Sequence, residues 1–94
     1  MDLKITPAAG KQLTKIIIEK GGNLAIRVKV RQGLTGPTWS WSLETWAPEA
    51  ELVDGVPLLL DEPAKKYMEG LVIDWMQTPS GPGLGVYAKN LIKQ

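Results

Sequence analysis

Residues 33–43 read Gly-Leu-Thr-Gly-Pro-Thr-Trp-Ser-Trp-Ser-Leu, a pattern typical of a tight turn that leads into a β-strand. Before this stretch, residues 25–31 read Ala-Ile-Arg-Val-Lys-Val-Arg and alternate between apolar and charged side chains from Ile26 onward. After the turn, Trp39, Trp41 and Leu43 alternate with small polar residues. A period of two is the pattern of a half-buried strand, so the sequence predicts two strands around a turn bracketed by Gly33 and Gly36. We expect the function of the protein to depend on this turn.

The composition indicates one ordinary globular domain over residues 1–94. The 44% hydrophobic content is enough for a core, and the net charge of +1 gives no general attraction for nucleic acid. The chain has no cysteine and no histidine. This excludes disulfides, thiolate or imidazole metal sites, cysteine nucleophiles and the usual general base. We therefore expect no catalytic, cofactor-binding or metal-binding residues.

The N-terminal residues contain no apolar segment typical of a signal peptide. The longest strongly apolar runs, residues 16–18 and 56–60, are much shorter than the roughly 20 residues that a membrane-spanning helix needs. The sequence therefore predicts a cytoplasmic protein that does not enter a membrane.

Two helices are predicted from their start and stop signals. Thr6 and the proline after it are typical of a helix N-terminus, and a glycine pair after Lys20 is typical of the end of that helix. Asp61, followed by glutamate and proline, predicts a second, short helix that ends before Gly70. The carboxylates at its start are interpreted as helix caps and not as a catalytic pair.

The remaining segments predict strands and their connections. Strands are expected over residues 24–31, 56–60, 71–76 and 85–88, with a short edge segment over residues 49–55 that closes in an Asp-Gly turn. Residues 79–85 are predicted to be a flexible hairpin connection, and residues 89–94 a tail with no obvious anchor. Trp39, Trp41 and Trp75 share strand faces with aliphatic residues and are therefore predicted to be core residues.

Two charged clusters have alternative interpretations. Arg27, Lys29 and Arg31 lie on one strand face, which suits either an anion-binding stripe or a solvent face balanced by carboxylates such as Glu44. We favour the solvent face. The carboxylates of residues 49, 51 and 54 could hold a hard cation, but they lack a calcium-loop pattern, so we interpret them as a solvated acidic loop.

Several segments, taken in order, resemble the HesB-like domain of the A-type iron–sulfur carriers. They are Ile-Thr-Pro-Ala-Ala at 5–9, Leu-Ala-Ile-Arg-Val at 24–28, Gly-Leu-Thr-Gly at 33–36, Asp-Gly-Val at 54–56, Leu-Leu-Leu-Asp at 58–61 and Leu-Val-Ile-Asp-Trp at 71–75. The resemblance implies a β-rich α+β fold in which small mixed sheets pack on one another, with one N-terminal and one short helix. It also implies a tendency to form homodimers.

In that family the cluster ligands are a cysteine in the Gly-Cys-(Ser/Thr)-Gly loop and two more in a C-terminal Cys-Gly-Cys. Here Leu34 stands at the loop position, and residues 90–94 read Asn-Leu-Ile-Lys-Gln. Thiolates are the normal iron–sulfur ligands, so the family's carrier function cannot be assigned to any residue. The resemblance therefore implies a cysteine-free relative that acts by protein–protein interaction, with a partner in iron–sulfur assembly.

The expected interaction surface consists of the loop residues Gly33, Leu34, Thr35 and Gly36, together with Trp46, which has the strand parity of the solvent side. For Leu34 the alternatives are contact with another protein or packing back onto the sheet. For Trp46 they are contact or packing over the turn at Pro48.

Two other function classes compete with this hypothesis. An enzyme or small-ligand-binding protein would have to use residues other than cysteine and histidine, such as Ser80, Tyr87, Lys89 or the carboxylates. A nucleic-acid-binding protein would use the three basic residues of the first long strand with nearby tryptophans, but the net charge argues against it.

Overall fold

A computed structural model gives the structure of residues 2–89. The helices are α1 (Pro7–Glu19) and α2 (Glu62–Met68). The strands are β1 (Lys4–Ile5), β2 (Leu24–Gly33), β3 (Gly36–Thr45), β4 (Glu51–Val53), β5 (Val56–Leu60), β6 (Leu71–Thr78) and β7 (Gly81–Ala88). The strands form a three-stranded sheet in the order β1-β6-β7 and a four-stranded sheet in the order β3-β2-β5-β4. Both sheets are mixed, since β1 pairs with β6, and β2 with β5, in parallel.

One hydrophobic core joins the two sheets and the two helices. Its fully buried side chains include Leu13 of α1, Ile26 of β2, Leu58 of β5, Met68 of α2 and Ile73 of β6. Because each element contributes one apolar face, the helices lie against the sheets and leave their charged residues outside. The predicted β-rich α+β fold with one N-terminal and one short helix is confirmed.

The helix signals are confirmed in detail. The Thr6 hydroxyl accepts a hydrogen bond from the backbone N–H of Ala9 at 3.2 Å, with a proline following at the first helical position. Asp61 caps α2 in the same way, through the backbone N–H of Ala64 at 2.9 Å. The short edge strand β4 ends in the predicted turn, where Asp54 and Gly55 have φ angles of 47° and 84°. These positive angles are those of a type I′ hairpin turn.

The hairpin connection predicted over residues 79–85 is present, but its predicted extent was wrong. A two-residue turn, Pro79 and Ser80, leads directly into β7 at Gly81. The Met76 side chain lies against Gly85, where a Cβ would come within 2.5 Å of the Met76 sulfur. Gly85 therefore provides room for a neighbouring side chain, whereas Gly81, at the start of β7, has a φ of 109°, a backbone angle that favours glycine.

Three smaller features also differ from the prediction. The two-residue strand β1 was not predicted, and Val72, placed on the face away from the core, is only 3% exposed. Lys89, assigned to an unanchored tail, donates its backbone N–H to Gly70 and forms an ion pair with Asp2. The rest of that tail, residues 90–94, lies outside the described residues. Within residues 2–89, no helix is both long and apolar enough to cross a bilayer.

Candidate functional site

The hairpin of β2 and β3 extends beyond the rest of its sheet. β2 pairs with β5 only from Ile26 to Val28, whereas its pairing with β3 continues to Gly33 and Gly36 at the turn. We call residues 27–42 of this hairpin the β2–β3 arm; from residue 29 to residue 40 it is two-stranded. Because neither strand of this outer part has a second neighbouring strand within residues 2–89, the arm has a free backbone edge on each side there.

Leu34 and Thr35 form the tip of the arm, and both are exposed. The relative exposure of Leu34 is 107%, so its side chain does not pack back onto the sheet. The glycines serve the turn: Gly36 has a φ of 124°, and a Cβ on Gly33 would lie 3.1 Å from the Gly36 carbonyl oxygen. The backbone geometry therefore explains Gly33 and Gly36, whereas no contact within residues 2–89 explains a large aliphatic side chain at position 34.

Trp46 does not join this tip. It directly follows β3 at the opposite end of the hairpin, where its backbone N–H donates to the Asn23 carbonyl at 3.0 Å. The length of strand between the two ends places it roughly 30 Å from the tip. Its side chain is 45% exposed. The structure thus exposes both predicted contact residues, Leu34 and Trp46, but does not bring them together in one site.

The outer face of the arm carries the basic residues, and they are balanced only in part. The Arg27 side chain pairs with Glu44 at 3.2 Å. Lys29 and Arg31 form no ion pair within residues 2–89, and their cross-strand neighbours are Ser40 and Thr38. The prediction of a charge-balanced solvent face therefore holds for the base of the arm and fails for its outer half.

The inner face of the arm is apolar and half-buried. Trp39 lies opposite Val30, and Trp41 opposite Val28, with both tryptophans packed against the core. Trp75, on the other sheet, packs against the same core. The predicted placement of the three tryptophans is confirmed, although each keeps part of its surface accessible.

The acidic residues near β4 have separate structural partners. An Asp54 carboxylate oxygen accepts the backbone N–H of Ile5 at 2.8 Å, and Glu51 pairs with Lys65 at 3.3 Å. Across residues 2–89, no three or more side chains of histidine, cysteine, aspartate or glutamate are arranged to hold a metal ion.

Asp74 is the most connected polar residue of the three-stranded sheet. One carboxylate oxygen accepts from the Thr6 hydroxyl at 2.6 Å and from the backbone N–H of Trp75 at 2.8 Å. The other oxygen accepts from the Tyr87 hydroxyl at 3.4 Å. Since Thr6 also caps α1, Asp74 ties the start of that helix to the sheet.

This arrangement does not give Tyr87 the properties of a catalytic base. Desolvation by its surroundings raises the pKa of Tyr87, and the negative charge of Asp74 and their hydrogen bond raise it further. Tyr87 therefore stays protonated as a donor. Ser80 lies at the other end of β7, roughly 20 Å away along the strand. Ser80 and Tyr87 are therefore not gathered in one place, whereas Lys89 and Asp54, which the enzyme hypothesis would also use, line a common groove.

A groove of about 760 Å³ lies beside the start of α1, and the sequence did not predict it. One flank of the helix forms a wall with Pro7, Gly10, Lys11 and Thr14, which follow a helical spacing. β1 and the Asp-Gly turn form the opposite side, with Asp54 among the lining residues. The helical spacing of the four α1 residues could be seen in the sequence. The opposite wall of the groove depends on β1, and no sequence pattern predicted that strand.

Comparisons with known proteins bear on the fold. No protein-family model matches the sequence, and no curated protein matches it significantly. Among solved structures, Escherichia coli SufA, described as involved in the biosynthesis of iron–sulfur clusters, superposes with a TM-score of 0.73 at 20% identity. The superposition covers 99% of this chain and 83% of SufA.

Two further solved structures are also similar to this chain in fold. A protein from Aquifex aeolicus, determined by solution NMR, has a TM-score of 0.65 at 21% identity and covers 90% of this chain and 89% of its own. IscA, solved with a [2Fe-2S] cluster, has a TM-score of 0.57 at 22% identity over 94% of this chain and 83% of IscA. At such identities the likeness establishes the fold. The chain therefore has the fold of SufA and IscA, the HesB-like fold that the sequence predicted, and it has this fold without a single cysteine.

Proposed function

We propose that this protein acts in iron–sulfur cluster assembly by binding another protein, without carrying a cluster and without being an enzyme. The fold it shares with SufA supports the link to assembly. The absence of every cysteine supports a role that needs no thiolate ligand. A cytoplasmic location is part of this proposal.

The exposed side chain of Leu34 is the observation that carries the proposal. It occupies the loop position at which the HesB-like resemblance expects a ligand cysteine, at the tip of the β2–β3 arm, and its relative exposure is 107%. An exposed leucine costs solvation free energy that a protein contact would recover. The partner is another protein of the assembly machinery or, as the resemblance to a dimer-forming family implies, a second copy of this chain.

Leu34→Asp tests this contact. Because the side chain makes no buried contact in residues 2–89, the variant should melt within about 4 °C of the original protein. Its partner capture from native cell extract, or its self-association in sedimentation, should be lost, because a carboxylate would have to be desolvated in the contact. Leu52→Asp is the matched control, since Leu52 is also exposed, at 73%, but lies on β4, away from the arm.

The two measurements together separate the alternatives. Loss of capture in Leu34→Asp, with an unchanged melt and with capture intact in Leu52→Asp, supports the proposal. A large drop in melting temperature with association intact would show that Leu34 serves stability, and equal capture by both variants would place the contact elsewhere.

The groove beside α1 favours one alternative function, the binding of a small ligand. Its volume of about 760 Å³ falls in the usual range of small-molecule sites, roughly 300 to 1,000 Å³. A small molecule that stays bound to the purified protein in native mass spectrometry, and that is lost when Gly10→Leu fills the groove wall, would favour this alternative.

A further inference from the structure

The β2–β3 arm has a second exposed feature besides its tip, the free backbone edge of β3. Within residues 2–89, β3 has a strand on one side only, and it is ten residues long. Proteins usually protect such an edge with charged side chains, prolines or bulges. Residues 36–43 contain no charge, and only Pro37, next to the turn, interrupts the edge.

The register shows which backbone groups are available. In an antiparallel pair, residues alternate between those that bond to the partner strand and those whose N–H and C=O point away from it. Pro37 stands opposite Gln32 and has no N–H to donate to β2. A proline is tolerated at this place because the backbone groups of the position point away from β2. By alternation, the N–H groups of Trp39, Trp41 and Leu43 point away as well. They form a ladder that an extended segment could complete.

The charges on the outer face indicate what such a segment would carry. Lys29 and Arg31 have no carboxylate partner within residues 2–89, and the β3 residues opposite them, Ser40 and Thr38, are small. A strand added beside β3 would lie about 10 Å from β2, two strand spacings away. The long basic side chains can extend over the small residues toward acidic side chains on that added strand.

The geometry points to an extended, glutamate- or aspartate-bearing segment of a partner protein, which binds as a new strand on the free edge of β3. A second copy of β3 fits less well. Its outer face between residues 36 and 43 offers hydroxyl groups but no carboxylate, and Glu44 already pairs with Arg27. A pair of β3 strands would bring the cations of both copies together without an anion between them.

This inference rests on the proposed function, in that both assign the arm to protein contacts, but it can fail alone. The probe is a nine-residue peptide with blocked ends that alternates glutamate with valine. Its binding to the intact protein is measured by amide NMR shifts and by hydrogen exchange. Saturable shifts and new protection at the amides of Trp39, Trp41 and Leu43 are expected. A peptide with lysine in place of each glutamate should bind far more weakly.

The matched variants test the charges. Lys29→Gln with Arg31→Gln should weaken binding of the glutamate peptide roughly two- to thirtyfold, as expected for two exposed ion pairs. Lys15→Gln, on the exposed side of α1, should leave it unchanged. Equal binding of both peptides, no effect of the double variant, or no response at the β3 amides would overturn the inference.

Self-pairing of the edge is a distinct outcome of the same experiment. If those amides shift with protein concentration when no peptide is present, the occupant is a second copy and the acidic-segment inference is wrong. Loss of partner capture in Leu34→Asp would still support the proposed function in any of these cases, because that variant reports on the tip and not on the edge.

Discussion

Replacing Trp41 with alanine should lower the free energy of unfolding by about 3 kcal/mol, the lower end of the range for aromatic core residues, because the ring is half-buried. Trp41 lies opposite Val28, which is 1% exposed, and packs against the core where the β2–β3 arm leaves the sheet. For a domain of this size, the loss should lower the melting temperature by more than about 10 °C. Thermal and urea unfolding measure both quantities.

Trp46→Ala is the control for this prediction. Trp46 has a similar ring but stands after β3, with 45% of its side chain exposed, so its truncation should cost less than about 1 kcal/mol. If Trp41→Ala melted like the original protein, or if the two variants lost equal stability, the inner face of the arm would not be part of the core.

Asp74→Ala is expected to cost about 2 kcal/mol, because three partly buried donors would lose their acceptor together. They are the Thr6 hydroxyl, the Trp75 backbone N–H and the Tyr87 hydroxyl. Asp74→Asn should lose less, since an amide oxygen can still accept from Thr6. A double-mutant cycle of Asp74→Ala with Thr6→Val should show that the two losses are not additive.

Additive losses in that cycle, or an Asp74→Ala variant as stable as the original protein, would contradict the role of Asp74 as the link between α1 and the sheet. Unfolding in urea is the suitable measurement, because the slope of the transition also shows whether the unfolded state has changed.

Local chemistry explains why much of this fold could be predicted from the sequence. The cap at Thr6, the cap at Asp61 and the turn at Asp54 each depend on one or two neighbouring residues. The alternation before Gly33 identified β2 because Ile26, Val28 and Val30 pack in or against the core, whereas Lys29 and Arg31 are exposed. Such signals lie within a few residues of the structure that they determine.

The features that the sequence did not reveal depend on residues far apart in the chain. β1 contains two residues and exists because it pairs with β6, some 68 positions later. Residues 79–85 resembled a loop in part because the reason for Gly85, the side chain of Met76 that lies against it, is on the neighbouring strand.

In the candidate site, too, some features could be predicted from the sequence and others could not. Gly33 and Gly36 predicted the turn, whereas the exposure of Leu34 and its separation from Trp46 became known only from the structure. That Lys29 and Arg31 form no ion pair with the part of the chain that the structure describes also depends on the side chains across the hairpin, which alternation along one strand does not identify.

Anaerobic reconstitution tests the central claim most directly: that this chain has the HesB-like fold but does not bind an iron–sulfur cluster. The purified protein is incubated with ferrous iron and sulfide without added thiol, desalted, and assayed for bound iron, sulfide and visible absorption, with a cysteine-containing carrier of the same fold treated in parallel. Because no residue supplies a thiolate, we predict only traces of iron and no cluster absorption, while the control protein acquires both. Stoichiometric iron and sulfide with cluster absorption on this cysteine-free chain would contradict the account.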